Sequence, residues 1–161
     1  MGRAAVIFDL DDTLVDTQEL TGFRNRREWK AAVKALDRTE LFPGIQELVG
    51  ALATRGIPWA VVTTSVSFYA AAVLRHHGLG SPPLVAYHDS SPKPHPSCII
   101  KATQHLKLDP AQIVGLGDHM NDHAAYSAAG VLSIGAGWSP VLQNAAWDSV
   151  ISTPMELLEY L

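Results

Sequence analysis

The sequence predicts an α/β protein in which a parallel sheet of about five to six strands lies between two layers of helices. Short, wholly apolar runs recur along the 161 residues, as they do in strands that are buried on both faces. Segments with apolar residues at helical spacing alternate with these runs, and the chain is long enough for one domain with a real core. The expected arrangement is therefore three-layered and Rossmann-like.

The apolar runs define the strands in chain order. Ala4–Phe8 is followed directly by acidic residues, and Trp59–Val62 is followed by a Thr-Thr-Ser segment. The other runs expected to form strands are Leu84–Ala86, Ile113–Leu116, Val131–Ile134 and, as the weakest, Ser149–Ile151.

The segments between the runs have the apolar spacing of helices. Gly56, Gly78 and Gly130 stand where three of these helices should end, and Pro96 suits the first turn of another. The predicted helices are centred on Trp29–Leu36, Ile45–Leu52, about Ser67–His77, the stretch after Pro96, and about Asp122–Ala129.

Composition excludes several classes of protein. Apolar residues make up 47% of the chain, which disfavours intrinsic disorder. The formal net charge of -4 makes nucleic acid an unlikely main partner, because phosphate backbones are bound by basic patches. The single cysteine, Cys98, cannot form an internal disulfide, which suits a reducing cytoplasm. No apolar run is long enough for a membrane span, and the first residues do not have the pattern of a signal peptide.

Polar residues follow four of the predicted strands, where ligands bind in open α/β sheets. They are Asp9, Asp11 and Asp12 after the first strand, Thr63, Thr64 and Ser65 after the second, Lys93 beyond the third, and Asp118 and Asp122 after the fourth. Clustered carboxylates need a cation, and an all-oxygen ligand set favours Mg²⁺ over zinc. A carboxylate can also attack a phosphoryl group, while a second carboxylate two residues further on exchanges protons with the leaving group and water.

With these motifs the chain resembles the phosphatase branch of the haloacid dehalogenase (HAD) superfamily, over essentially its whole length. The matching segments are Asp9-Leu10-Asp11-Asp12-Thr13-Leu14, Thr63 at a strand end, Lys93 in a proline-rich loop, and Gly117-Asp118-His119-Met120-Asn121-Asp122. Two positions depart from the family pattern: Thr64 stands where Asn is common, and His119 where Ser is common. These departures bear on the substrate more than on the chemistry.

The resemblance implies a role for each residue. It makes Asp9 the nucleophile, Asp11 the general acid/base and Lys93 a catalytic cation. The expected Mg²⁺ site comprises Asp9, Asp11, Asp118 and Asp122, and the expected substrate-binding residues are Thr63, Thr64, Arg24 and Arg27. An Asp at position 11 resembles phosphatases and phosphomutases rather than dehalogenases. The expected activity is hydrolysis of a phosphomonoester through an aspartyl phosphate on Asp9.

We expect one domain over residues 1–161, with residues 15–42 as a short helical insert in place of a full cap. The insert has room for one helix and its connections, so the site should be open to a large substrate or covered by another subunit of a homo-oligomer. Its segment Thr17–Leu36 is rich in arginine. Our hypothesis is that Arg24 or Arg27 contacts an anionic part of the substrate; the alternative is a solvated helix face.

Three other functions remain open. A mutase of the β-phosphoglucomutase type shares the motifs but needs a cap that shields the aspartyl phosphate from water. A signalling receiver domain would use Asp89, after the third strand, as its phosphate acceptor. A binding protein without catalysis is disfavoured by the intact acids and Lys93. His119 and His123 have a spacing that can bind zinc, but no third ligand is evident near them.

Overall fold

The protein is built on one six-stranded parallel sheet. The computed structural model describes residues 2–161. Its strands are β1 (Ala5–Phe8), β2 (Val15–Asp16), β3 (Glu40–Leu41), β4 (Trp59–Val62), β5 (Leu84–Val85), β6 (Ile113–Gly117), β7 (Leu132–Ala136) and β8 (Ser149–Ile151). The large sheet has the order β5-β4-β1-β6-β7-β8, with every neighbouring pair parallel. The predicted three-layer α/β fold is confirmed, and each predicted strand is present to within two residues at either end.

Strand β1 lies at the centre of the sheet, where the strand order reverses. Ile7 pairs with Ala60 of β4 on one side and with Gly115 of β6 on the other. The chain first builds the sheet outward through β4 and β5, and then returns to build it through β6, β7 and β8. Such a reversal opens a crevice at the carboxyl ends of the strands. The residues after β1, β4 and β6 therefore meet in that crevice.

Helices cover both faces of the sheet. They are α1 (Thr21–Asn25), α2 (Trp29–Lys34), α3 (Ile45–Thr54), α4 (Ser67–His76), α5 (Ser97–Leu106) and α6 (Met120–Ala129). Helix α6 ends at Gly130, whose φ of 81° is in the left-handed region that glycine adopts without strain. None of the helices in residues 2–161 has the length and apolar character that crossing a bilayer requires.

Alternate residues of the central strands pack into two separate cores, as the side-chain alternation of a strand requires. Val6 and Phe8 pack into the larger core with the insert and with helices α3 and α4. Ala5 and Ile7 pack into the smaller core with helices α5 and α6. Strand β1 is thus buried on both faces, and the residue that follows it, Asp9, is held on a rigid element.

The insert between β1 and α3 contains two short helices, so the expectation of one helix was wrong. Strands β2 and β3 pair antiparallel at its base, and α1 and α2 lie between them. The chain breaks the helix at Arg27, whose φ of 57° is left-handed and cannot continue a right-handed helix. Helix α2 packs against α4, where the rings of Trp29 and Tyr69 lie 5.2 Å apart.

Candidate active site

A pocket of about 510 Å³ lies at the carboxyl ends of the central strands. Most of the residues expected from the sequence line it: Asp9, Asp11, Thr63, Thr64, Lys93, Asp118, Asp122 and Arg24. Arg27 does not line this pocket. It lines a smaller neighbouring depression, here called the side pocket, together with Arg24, Asn25, Trp29, Thr64, Ser65, Val66 and Tyr87.

Three buried carboxylates form the centre of the pocket. Asp9, Asp118 and Asp122 each offer an oxygen, and these oxygens lie within 4.8 Å of one another. The ammonium of Lys93 lies among them, 2.9 Å from Oδ1 of Asp9 and 2.6 Å from Oδ1 of Asp122. It also donates to the carbonyl of Val62 at 2.9 Å. Lys93 is therefore fully engaged and cannot move away without leaving a carboxylate unpaired.

The cluster has more negative charge than its surroundings offset. Burial, and then the charge of Asp122, raise the pKa of Asp9. Burial and the neighbouring Asp9 raise the pKa of Asp118 to about 10. Burial opposes the charge on Lys93, but Asp122 and Asp9 outweigh it and raise the pKa of this ammonium well above its usual value.

The donor set fits a divalent cation. When all three carboxylates are ionised, they and the one ammonium leave two negative charges for a cation to offset, and every candidate ligand atom is an oxygen. Among the acids, histidines and cysteine of residues 2–161, the group with metal-binding geometry consists of these three aspartates and contains no histidine. His119 instead accepts a hydrogen bond from the backbone N–H of Asn121, and His123 contacts Ser133. The zinc alternative has no support in this arrangement.

The start of helix α6 fixes two of the three acids. Oδ2 of Asp122 accepts hydrogen bonds from the backbone N–H groups of Asp118, at 3.1 Å, and His119, at 3.0 Å. A side chain at Gly117 would overlap Asp122, because a Cβ built there lies 2.6 Å from Cβ of Asp122. The Thr13 hydroxyl lies 3.1 Å from Asp9 and 3.2 Å from Asp118, and thus links the acid after β1 to the acid after β6.

The side chain of Asp11 lies outside the metal group, contrary to its inclusion among the expected metal-binding side chains. Its Oδ1 accepts hydrogen bonds from the hydroxyls of Thr17 and Tyr69, and its Oδ2 accepts one from Ser65, each at 2.8 Å. Arg24 lies 3.6 Å from Oδ2. These donors hold the carboxylate against the wall of the pocket, because they satisfy most of its four lone-pair sites.

Tyr69 was not expected at the site. It lies in the apolar stripe of helix α4 and is fully buried, so its ring reads as core. Burial, followed by the charge of Asp11 and the hydrogen bond to it, raises the pKa of its hydroxyl. The signal available in the sequence was its polar end, since a buried tyrosine hydroxyl usually has a partner. That signal does not say which partner.

Other residues singled out in the sequence have different surroundings. Asp12 is half-buried with a left-handed φ of 63°, and burial raises its pKa to about 6. The indole of Trp138 donates to the carbonyl of Thr13 at 2.9 Å.

Asp89, the phosphate acceptor of the receiver alternative, is exposed, and its carboxylate accepts a hydrogen bond from the backbone N–H of Ala86 at 2.7 Å. Asp89 lines neither the pocket nor the side pocket, which speaks against the receiver alternative.

Comparison with known proteins finds similarity to hydrolases, and the two relatives described here are phosphatases. A family model described as haloacid dehalogenase-like hydrolase matches residues 20–130. The phosphoglycolate phosphatase of Shigella boydii is 27% identical over 138 residues, which cover 84% of this chain and 53% of that protein. The N-acetylmuramic acid 6-phosphate phosphatase of Pseudomonas aeruginosa is 27% identical over 128 residues, which cover 74% of this chain and 57% of that protein. The chain thus spans little more than half the length of these relatives.

Solved structures share the fold. The crystal structure of CbbY from Rhodobacter sphaeroides in complex with phosphate superposes with a TM-score of 0.82 at 21% identity, and the match covers 96% of both chains. At this identity the likeness concerns the fold and not the substrate.

Proposed function

The chain belongs to the haloacid dehalogenase-like hydrolase family, and we propose that it is a Mg²⁺-dependent phosphomonoesterase that forms an aspartyl phosphate on Asp9. The observation that carries this proposal is the buried cluster of Asp9, Asp118 and Asp122 around the ammonium of Lys93. An uncompensated group of carboxylates is a site for a cation, and a cation is what lets an anionic nucleophile meet an anionic phosphate.

Asp9 is the proposed nucleophile. One of its carboxylate oxygens attacks phosphorus, a new oxygen–phosphorus bond makes Asp9 an acyl phosphate (a mixed anhydride), and the bond between phosphorus and the leaving oxygen breaks. Lys93 holds Asp9 in place and adds positive charge beside the phosphoryl group. Thr63 and Thr64, which follow β4 in the pocket wall, are the proposed donors to the phosphoryl oxygens. Mg²⁺, when bound by the acid cluster, supplies the positive charge that offsets both the carboxylates and the phosphate.

Asp11 is the proposed general acid/base. It gives a proton to the leaving oxygen in the first step and takes one from the attacking water in the second, after which the bond between Asp9 and phosphorus breaks. Its Oδ1 already has two hydroxyl donors, whereas Oδ2 has one hydroxyl and the longer contact with Arg24. Oδ2 is therefore the atom that we expect to exchange the proton. Such help typically contributes about 10²–10⁴ in rate.

The class of substrate is also a proposal. The two relatives are named for phosphoglycolate and N-acetylmuramic acid 6-phosphate, both of which are phosphate esters that contain an acid group. Arg24, in the wall of the pocket, is the proposed contact for such a group in this chain. We propose a small phosphorylated metabolite as the substrate and a cytoplasmic location; a homo-oligomer that covers the site stays a prediction.

The mutase remains the second candidate in principle, because the motifs are shared. A mutase must keep water from the aspartyl phosphate until the bound sugar has reoriented and presents its other hydroxyl. The insert, which runs from β2 to β3 with two short helices, offers little material for that shield. Release of free phosphate supports the hydrolase, and isomerised sugar phosphate without free phosphate supports the mutase.

The decisive experiment measures phosphate release over a panel of phosphomonoesters with and without Mg²⁺. Asp9→Asn keeps the size of the side chain and removes the nucleophile, so we expect activity to fall at least about a thousandfold. Asp89→Asn is the matched control, because it removes an exposed carboxylate outside the pocket. Equal activity in Asp9→Asn would exclude the mechanism. Labelling of the protein by a small phosphodonor separates the receiver alternative: label that is lost in Asp89→Asn and kept in Asp9→Asn would favour it.

A further inference from the structure

We infer that the side pocket binds a second anionic group, a carboxylate or a phosphate, on the leaving group of the substrate. This inference rests on the proposed phosphatase function and adds the place where the second charge of the substrate binds. The side pocket adjoins the catalytic pocket, because Arg24, Asn25 and Thr64 line both. A substrate whose phosphate lies at Asp9 can therefore extend into it without leaving the surface of the protein.

The charges in the side pocket are of one sign. Its lining includes the guanidinium groups of Arg24 and Arg27 and no aspartate or glutamate. Arg27 makes no salt bridge within residues 2–161, and its guanidinium lies 5.1 Å from the centre of the Tyr87 ring. An arginine with no acidic partner, held beside a pocket without acids, can accept an anion from outside the protein.

Arg24 has capacity for the same anion. Its Nε is buried and has no hydrogen-bond partner within the described chain. Its other nitrogens make only long contacts, 3.6 Å to Asp11 and 3.4 Å to the Thr17 hydroxyl. The terminal nitrogens therefore have no short hydrogen bond. An anion bound between Arg24 and Arg27 would give them charge-assisted hydrogen bonds.

The walls of the side pocket strengthen this attraction. Trp29, Tyr87 and Val66 supply apolar surface on the sides, and ionic contacts gain strength where water is displaced from such surfaces. The volume of about 320 Å³ is at the lower end of the range for small-molecule sites. It suits an acid group and a short carbon chain better than a large polymer.

The test uses series of phosphate esters that differ only in the second charge. One series contains ω-carboxyalkyl phosphates, from phosphoglycolate upward in chain length, and the reference series contains alkyl phosphates of the same lengths. A third series replaces the carboxylate with a second phosphate. We expect kcat/KM to be at least about tenfold higher for a charged ester than for its uncharged match at one or more lengths. The series with the larger preference identifies the acid group.

Variants connect that preference to the side pocket. Arg27→Gln should remove most of the preference for charged esters, mainly through KM, and Arg27→Lys should retain part of the preference. Arg, Gln and Lys all carry a Cβ, so the left-handed backbone at position 27 strains them about equally. The matched control is Arg26→Gln, since Arg26 is exposed, pairs with Glu28 at 2.8 Å and lines neither pocket. Equal kcat/KM for charged and uncharged esters at every length, or a preference that survives Arg27→Gln, would overturn the inference.

Binding of the corresponding non-hydrolysable phosphonates, followed by calorimetry, separates this inference from the proposed function. Carboxyalkyl phosphonates should bind more tightly than alkyl phosphonates, and Arg27→Gln should abolish the difference. If no ester is hydrolysed but this binding difference is found, the phosphatase proposal fails and the side pocket stands. If esters are hydrolysed without any such difference in rate or binding, the phosphatase proposal stands and the side pocket fails.

Discussion

The hydroxyl of Tyr69 donates a 2.8 Å hydrogen bond to Oδ1 of Asp11, so a residue in the core of helix α4 orients the proposed acid/base. The ring of Tyr69 packs in turn against Trp29 of the insert. Thr17 shares Oδ1, and Ser65 occupies Oδ2. Asp11 is thus positioned by the insert, by the loop after β4 and by helix α4 together, which ties its orientation to the packing of the insert.

Tyr69→Phe removes this hydrogen bond and keeps the ring. Because a hydrogen bond to a charged group contributes about 1.5–3 kcal/mol, we expect kcat for alkyl phosphates to fall roughly tenfold or more. p-Nitrophenyl phosphate should lose much less, since its leaving group departs without a proton. The measurement is kcat for the two kinds of ester in the wild-type protein and the variant.

Tyr126→Phe is the matched control for Tyr69→Phe. Tyr126 is also fully buried, but its hydroxyl donates to the backbone carbonyls of Leu116 and Ile7 and to no catalytic side chain. Its loss should lower stability without changing the ratio between alkyl and nitrophenyl esters. An equal loss of kcat on both kinds of ester in Tyr69→Phe would show that this residue does not act through protonation of the leaving group.

The sequence was informative where one residue's place follows from a strand. Asp9, Thr63 and Asp118 each follow an apolar run, so the rule for parallel sheets brought them to one edge without knowledge of side-chain contacts. It was less informative where several segments meet. The partners of Asp11 come from positions 17, 24, 65 and 69, and no spacing in the sequence indicates that they converge. The break at Arg27 was likewise missed, because a left-handed non-glycine residue leaves no mark in apolar periodicity.

Stability of the metal-free protein should fall as pH rises. The pKa of Asp118 is raised from 3.8 to about 10, so this group contributes stability below pH 4 that is lost progressively toward pH 10. Mg²⁺ competes with the proton on this carboxyl, so its apparent affinity should rise by up to about tenfold per pH unit. Thermal unfolding between pH 6 and 9, with and without Mg²⁺, measures both effects.

Asp118→Asn provides the control for the pH dependence. Asn keeps an oxygen toward Thr13, but it does not titrate. We expect the variant to lose most of the decline in metal-free stability with pH and most of the stabilisation by Mg²⁺. A pH-independent effect of Mg²⁺ on the unfolding temperature of the wild-type protein would contradict the raised pKa as its cause.

Lys93→Met should separate metal binding from activity. The substitution keeps an apolar chain of similar length and leaves three carboxylates without the ammonium. Removing one partner of a buried ion pair costs roughly 3–5 kcal/mol, so the unfolding temperature should fall without Mg²⁺. The remaining negative charge should bind Mg²⁺ more tightly, while kcat/KM falls at least about a hundredfold.

Lys101→Met is the control for Lys93→Met. Lys101 donates to the backbone carbonyl of Asp89 at the surface and lies outside the pocket. We expect little change in activity or in Mg²⁺ affinity. Weaker Mg²⁺ binding in Lys93→Met, measured by titration calorimetry, would mean that the lysine holds the acids in place rather than offsetting their charge.

Gly117→Ala tests the packing that positions the acid cluster. The added Cβ would lie 2.6 Å from both Cβ and Oδ2 of Asp122, so Asp122 must move and release the backbone N–H groups of Asp118 and His119. We expect Mg²⁺ affinity and kcat to fall at least about tenfold, with a loss of roughly 1–3 kcal/mol in stability.

The control is Gly50→Ala, on helix α3, where no atom lies within 4 Å of the new Cβ. This variant should instead stabilise the protein by about 0.5–1 kcal/mol. The displacement of Asp122 also moves its carboxylate away from Lys93. Mg²⁺ affinity equal to that of the wild-type protein in Gly117→Ala would therefore mean that metal binding does not need Asp122 at its observed position.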